Sequence, residues 1–195
     1  MSGMILDMPR VWRLYSRVRG VPLSNERFQF VFKYEDDLQE VLNAGAWMYD
    51  DWSMVLEKWV ESPPADYLQI LPIWIRLRNI PVNHYTAECI EKIAERVGVV
   101  KMVLFDPSKL NHLGFERVLV WFDISKALKN FVPVKLPSDE VVHVGVEYER
   151  VRKRCFQCKR LTHDKDRCPI SPLNRQKVVT EGFNQVAARL DFSTY

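Results

Sequence analysis

Three cysteines and one histidine near the C-terminus are the residues of this chain best suited to chemistry. Cys155, Cys158, His163 and Cys168 follow the pattern C-x2-C-x4-H-x4-C. Zn²⁺ prefers four thiolate or imidazole ligands in a tetrahedron, and four protein ligands leave no open position for a reactive water. A segment this short cannot bury a core, so metal binding and local folding are one event. The spacing therefore predicts one structural zinc ion rather than a hydrolytic centre.

A chance cluster or two disulfides would be the alternative interpretation of these four residues. An intracellular compartment disfavours disulfides, and a disulfide account gives no role to His163. The remaining cysteine, Cys89, lies in a predicted helix far from the set. We expect Cys89 to be a small apolar side chain of the core.

Recognisable catalytic patterns are missing from the sequence. It contains no P-loop, no G-x-S-x-G and no H-E-x-x-H, and the other histidines have no partner pattern. Acidic pairs such as Asp36-Asp37 and Asp50-Asp51 stand at the ends of predicted elements, where capping and solvation explain them. We predict that the protein is not an enzyme.

Positive charge is concentrated on the cysteine segment. Residues 149–168 hold eight Lys or Arg against three Asp or Glu, a net charge of +5, whereas residues 1–148 carry −3. Such asymmetry favours a polyanionic partner at this segment, although a basic stretch is often only a solvated surface.

Single-stranded nucleic acid is held by base stacking on exposed aromatic rings and by cations on phosphates. Phe156 is the candidate platform, unless it packs on the zinc loop or against Leu161. The candidate phosphate contacts are Arg152, Lys153, Arg154, Lys159, Arg160, Lys165 and Arg167. A second candidate surface is Trp74, Arg76 and Arg78, which alternate with apolar residues and would otherwise cover a helix or another lobe.

The first 62 residues are predicted to form one small α+β lobe. The predicted elements are a helix at 10–19, strands at 18–23 and 27–34, a helix at 36–45 and a strand at 52–60. Phe28, Phe30 and Phe32 share one strand face, and we expect that face to be core. Ser62-Pro63-Pro64 ends this lobe.

Residues 63–150 are predicted to form a second α+β lobe. Its predicted elements are a strand at 73–77, a helix at 87–97 and strands at 100–105, 117–123, 131–136 and 141–148. Helices separated by paired strands favour antiparallel sheets. Residues 151–170 are the metal segment, and 171–195 a flexible or weakly helical tail with apolar residues at helical spacing from Val179 to Leu190.

The C-x2-C-x4-H-x4-C segment resembles the CCHC zinc knuckle of retroviral and retroelement proteins. That family has an aromatic residue after the first cysteine, as at Phe156, and glycines where this chain has Lys159 and Thr162. Knuckles of this family imply binding to nucleic acid. Loss of the glycines puts the usual turn geometry in question.

The wider pattern over residues 10–168 resembles the plant "domain of unknown function 4283" (DUF4283) proteins, many of them LINE retrotransposon-derived. It is carried by Trp12, the Phe28-Gln-Phe-Val-Phe32 strand, Gly45-Ala-Trp47, Ile73-Trp-Ile-Arg-Leu77 and Tyr148-Glu149. The resemblance implies ferredoxin or RRM-like lobes and a nucleic-acid-binding role. The family's leading strand before the first helix is absent, so either the chain is truncated or the first sheet has an unpaired edge.

The sequence thus predicts a zinc-dependent protein that binds single-stranded RNA, or less readily DNA. One rival is a protein-interaction module in which the knuckle and the tail at 178–190 hold a protein partner. Another is an inert remnant of a mobile element. No apolar run is long enough to cross a bilayer and no signal peptide is evident, so we expect an intracellular protein, nuclear rather than cytoplasmic.

Overall fold

Apolar residues at strand and helix spacings build two α+β lobes, which are followed by the Cys/His segment. The computed structural model describes residues 2–24, 27–106, 114–171 and 187–192. The elements of the first lobe are α1 (Ser2–Val11), β1 (Val18–Pro22), β2 (Arg27–Phe32), α2 (Glu35–Asn43), β3 (Trp47–Tyr49) and β4 (Trp52–Lys58).

The first helix is not where the sequence predicted it. Helix α1 ends at Val11, so it overlaps the expected span of 10–19 at only two residues, and residues 12–17 form turns instead. Pro9 lies inside α1, although proline removes a helical hydrogen bond and usually marks an end. Three apolar residues spaced four positions apart are all buried and pack the helix against the sheet: Met4, Met8 and Trp12. Burial of this apolar stripe outweighs the unfavourable proline.

A strand from the far end of the chain completes the first sheet. Strand β10 (Ala187–Phe192) lies between β2 and β4, giving the order β1-β2-β10-β4-β3. It runs parallel to both neighbours, with Ala187 opposite Arg27 on β2 and Val55 on β4. The helical prediction for the tail is therefore wrong at 187–190, while residues 172–186 lie outside the described part. No unpaired edge remains between β2 and β4.

The core of the first lobe is aromatic. Phe28, Phe30 and Phe32 are buried, as their alternation predicted, and the ring of Trp12 meets Phe30 edge-on at 4.8 Å. Leu38 of α2 closes this core. Gly20 permits the close approach of α1, because a Cβ there would lie 2.6 Å from the Cβ of Ile5.

The second lobe is an antiparallel sheet with a helix on one face. Its elements are β5 (Ile70–Arg78), a 3₁₀ turn (Val82–His84), α3 (Ala87–Glu95), β6 (Val99–Leu104), β7 (Phe115–Asp123), β8 (Phe131–Lys135) and β9 (Val141–Tyr148). The strand order is β6-β7-β5-β9-β8, and every pairing is antiparallel. The Thr86 hydroxyl accepts a hydrogen bond from the backbone N–H of Cys89 and caps α3.

The second core receives residues from all three segments of the chain. Ile75, Val120 and Ile90 are fully buried between the sheet and α3. Val55 of β4 and Leu161 of the Cys/His segment belong to the same buried cluster. Cys89 is half-buried against it, close to the role that we expected. The two lobes and the metal segment thus share apolar contacts.

The α+β class and the antiparallel pairing of the second sheet agree with the sequence prediction. The first sheet is mixed, because β10 pairs in parallel. The finer assignment of both lobes as ferredoxin or RRM-like stays a prediction. None of the helices in the described ranges has the length and hydropathy that a bilayer crossing requires.

Candidate metal centre

The four predicted ligands converge at one point. The ligand atoms of Cys155, Cys158, His163 and Cys168 all lie within 4.8 Å of one another. A tetrahedral zinc site has ligand–ligand separations of about 3.5–3.8 Å, given its bond lengths. The donor set is three sulfurs and one imidazole without a carboxylate, which fits zinc rather than a hard cation. Cys155 and Cys168 are buried, so the site is closed on one side.

A tight turn brings the first two cysteines together. The backbone N–H of Lys159 donates to the carbonyl of Cys155 at 2.9 Å, and the N–H of Cys155 donates to the carbonyl of Arg160 at 2.8 Å. Lys159 has a φ of +62°, in the left-handed region that favours glycine. The turn therefore forms in this chain despite the missing glycine, with some backbone strain stored at Lys159.

His163 is oriented by its neighbour in sequence. Its Nε2 lies 3.1 Å from Sγ of Cys158, and its Nδ1 lies 3.0 Å from Oγ1 of Thr162. With Nε2 as the metal ligand, Nδ1 carries the hydrogen and donates a hydrogen bond to the Thr162 hydroxyl. A partner on the second ring nitrogen is usual for ligand histidines, since it fixes both tautomer and ring orientation.

Burial and neighbouring groups shift the pKa values of the predicted ligand side chains. Burial, together with the adjacent Cys155, raises the pKa of Cys158 to about 11. Burial also acts on Cys155, but the backbone N–H groups of Cys158 and Gln157 bring the pKa of its thiol below the usual value. Burial and the charge of Arg160 lower the pKa of His163, which favours the neutral imidazole that metals bind. Two adjacent thiols resist joint ionisation, and a divalent cation relieves that repulsion.

The Cys/His segment is docked on the second lobe. Leu161, with 8% of its surface exposed, enters the buried cluster of that lobe. The backbone N–H of Leu128 donates to the carbonyl of Lys159 at 3.0 Å. The Cys/His segment therefore packs against the second lobe and is not connected to it only through a linker.

Phe156 is free of the packing that we considered as its alternative role. Its side chain is 72% exposed, whereas Leu161 is turned into the core. An exposed phenylalanine beside a metal site offers a face for base stacking.

The seven basic candidates around it fall into two groups. Arg152 pairs with Asp51 at 2.9 Å, and Lys153 pairs with Asp50 at 3.0 Å. Arg167 pairs with Asp164 at 3.7 Å. The other four, Arg154, Lys159, Arg160 and Lys165, form no ion pair with a described residue. These four are the better placed for phosphate.

The second candidate surface is more neutral than its sequence indicated. Arg76 bonds to Glu149 at 2.7 Å, and Arg78 bonds to Glu147 at 2.6 Å. Trp74 is half-buried, and its ring lies 4.6 Å from the guanidinium of Arg117. Trp74 is therefore only partly exposed, and it lines a cleft that the first lobe also borders.

Several residues of these surfaces were missed by sequence reasoning. Arg117 joins Arg76 in binding Glu149, and both hydrogen bonds lower the pKa of that carboxyl although its burial alone would raise it. The sequence prediction explained Asp50 and Asp51 by capping and solvation alone. Their pairing with residues about a hundred positions away leaves no local signal. Thr162 carried a weak signal, because a hydroxyl next to a ligand histidine can accept a hydrogen bond from its second ring nitrogen.

Comparison with protein families finds matches to the first lobe and to the region that contains the Cys/His segment. Residues 1–64 match the family described as "Domain of unknown function (DUF4283)", and residues 122–170 match the family described as "Zinc knuckle". The chain combines a DUF4283 domain with a CCHC zinc knuckle. The knuckle match begins in β7 and includes β8 and β9, consistent with docking of the knuckle on the second lobe.

One relative is an uncharacterized protein of Arabidopsis thaliana. It is 29% identical to this chain over 142 residues, which are 71% of this chain and 45% of the relative. The matched region thus spans less than half of the relative's length. No solved structure matches this chain.

Proposed function

We propose that this chain is a zinc-dependent protein that binds single-stranded nucleic acid through its knuckle, RNA in preference to DNA. The observation that carries the proposal is the exposed ring of Phe156 next to four converging zinc ligands. The knuckle family match points in the same direction. Binding rather than catalysis, a nuclear location and a retroelement origin belong to the same proposal, and the last of these rests on the sequence resemblance alone.

Zinc organises the knuckle, and the chain's own residues make the contacts. When bound, the ion supplies the fixed point around which residues 155–168 fold. The ring of Phe156 then receives a base, for which stacking contributes about 1–3 kcal/mol. Arg154, Lys159, Arg160 and Lys165 contact phosphates and displace counterions.

The salt dependence of binding provides a quantitative test. If the four cations without ion pairs each meet one phosphate, log K falls with log salt concentration with a slope of about −3, from about −0.7 per contact on a single strand. If all seven basic candidates took part, the slope would approach about −5. Fluorescence anisotropy of a labelled oligouridylate at several salt concentrations measures it.

Substitution of the platform tests the stacking. Phe156→Ala is expected to retain zinc and to weaken binding about tenfold, since one stacked base is lost. Tyr15→Ala is the matched control, because Tyr15 is 69% exposed and lies on the first lobe. Equal affinities of wild type and Phe156→Ala would remove the stacking claim. Negligible affinity of the wild type at low salt would favour the protein-interaction rival.

A further inference from the structure

The outer face of the second sheet carries a second aromatic and basic surface. Strand alternation sends Ile75 and Val120 into the core and leaves the side chains of Trp74, Leu119 and Trp121 on the opposite face. Trp121 is 45% exposed, although it lies on a central pair of strands. An exposed tryptophan flanked by other apolar side chains marks a binding surface more often than a solvated one.

The register places the two indoles close together. Trp74 of β5 lies opposite Leu119 of β7, and Pro72 lies opposite Trp121. Trp74 and Trp121 are therefore diagonal neighbours on one face, a relation that separates residues by about 7–8 Å. Large aromatic side chains at that spacing present one continuous apolar surface.

This face forms the floor of a cleft between the lobes. The opposite wall comes from the first lobe, through Leu42, Gly45 and Leu56, and the cleft has a volume of about 1020 Å³. Ligand sites for small molecules have volumes of about 300–1,000 Å³. The cleft is therefore large enough to admit planar groups from outside.

The basic residues around the cleft lie on its sheet side, which favours the approach of an anionic ligand from that side. Lys101 lies with Nζ 3.4 Å from the centroid of Trp121, and Arg117 covers Trp74. Glu149 neutralises one of the two guanidinium groups that it binds, those of Arg76 and Arg117, so this cluster keeps a net positive charge.

The rim adds Arg150, which forms no ion pair with a described residue. The far wall carries Glu57 and Asp66. Their carboxylates can accept hydrogen bonds from the amino groups of bases.

We propose that this cleft is a second nucleotide-binding site, at which bases of a single strand stack on Trp121 and Trp74. It rests on the proposed binding of the same strand by the knuckle. A duplex hides its base faces within its own stack, whereas an unpaired strand can present them. The aromatic pair, with a cation against each ring, therefore favours a single strand over a duplex.

The distance between the two sites predicts the length of strand required. Glu149 lines the cleft, and Cys155 begins the knuckle six residues later. Six residues span at most about 20 Å. At about 3.4 Å per stacked nucleotide, about six nucleotides suffice to bridge the two sites. A strand of ten nucleotides therefore reaches both, whereas a stacked strand of four spans only about 14 Å.

Fluorescein-labelled oligouridylates of four and ten nucleotides test the proposal on the full chain with zinc bound. Wild type is expected to bind the ten-nucleotide strand more tightly than the shorter one. In Trp121→Ala the affinity for the ten-nucleotide strand is expected to fall about tenfold. Most of the difference in affinity between the ten- and four-nucleotide strands is then lost. Trp59→Ala is the matched control, because Trp59 is 38% exposed and lies outside the cleft.

Two further variants separate the possible outcomes. Lys101→Gln removes the cation that contacts the Trp121 ring and leaves the core intact, because Lys101 is exposed. It is expected to reduce the advantage of the ten-nucleotide strand even if Trp121→Ala folds poorly. Unchanged affinity of both variants for the ten-nucleotide strand overturns the cleft proposal and leaves this face to a protein partner. If Phe156→Ala binds like wild type while Trp121→Ala is weakened, the knuckle role fails and the cleft stands.

Discussion

Nδ1 of His163 lies 3.0 Å from the hydroxyl oxygen of Thr162, on the side of the ring opposite the sulfur of Cys158. Thr162 stands where the resemblance to CCHC knuckles implies glycine, and here its hydroxyl contacts the ring of the predicted ligand histidine.

Removal of this hydroxyl is expected to weaken zinc binding. Thr162→Val keeps the shape of the side chain but removes the acceptor for Nδ1–H, and loss of such a partner typically costs 10–100-fold in metal affinity. Competition with a chromogenic chelator measures the change. Thr162→Ser restores a hydroxyl and should bind zinc nearly as well as wild type. A valine variant with wild-type affinity would show that the contact does not orient the ligand.

Relief of the strain at Lys159 is expected to stabilise the knuckle. Lys159 has a φ of +62°, which costs a residue with a side chain about 1 kcal/mol relative to glycine. Lys159→Gly should therefore raise the chelator concentration needed to unfold the knuckle. It also removes one phosphate contact, so the slope of log K against log salt concentration should become less steep by about 0.7. A less stable knuckle in this variant would mean that the lysine side chain packs usefully.

Metal loss is expected to destabilise the second lobe as well as the knuckle. Leu161 connects the two, because it is buried in the core cluster of the lobe. Leu161→Ala should cost about 2–4 kcal/mol of unfolding free energy. Cys158→Ser should lower the melting temperature of that lobe, as followed by differential scanning fluorimetry. Phe156→Ala is the control and should leave stability unchanged, because the ring is exposed.

Deletion of residues 187–195 is expected to unfold the first lobe selectively. Strand β10 lies between β2 and β4 and is hydrogen-bonded to both. Its loss therefore divides the sheet into two hairpins, β1-β2 and β3-β4. A two-stranded hairpin is marginally stable at best in water. Hydrogen exchange should show lost protection in β2 and β4 but not in β7. Deletion of 193–195 alone is the control, and full protection in the longer deletion would exclude this role of β10.

Local patterns in the sequence predicted most elements and the metal site. Alternation predicted β2 because that strand buries one face, and the helical spacing of apolar residues over 87–97 predicted α3. The ligand spacing predicted which four residues would converge, since zinc sites of this kind are built from contiguous chain. Each of these signals lies within about fifteen residues.

Other features of the fold depend on contacts with residues that are far away in the sequence. Strand β10 is stabilised by β2 and β4, which lie more than a hundred residues earlier, so its helical spacing was misleading. Helix α1 forms in spite of Pro9 because tertiary burial of Met8 outweighs local propensity. The ion pair of Arg152 with Asp51 removes one predicted phosphate contact for the same reason.

The most direct test is to measure zinc content and oligonucleotide affinity on one purified sample, before and after treatment with a strong chelator. We expect one zinc ion per chain, binding of a ten-nucleotide single strand at low salt, and loss of most of that affinity once the metal is removed. A protein that contains no metal, or one that binds the strand equally well after the ion has been stripped, would contradict this expectation.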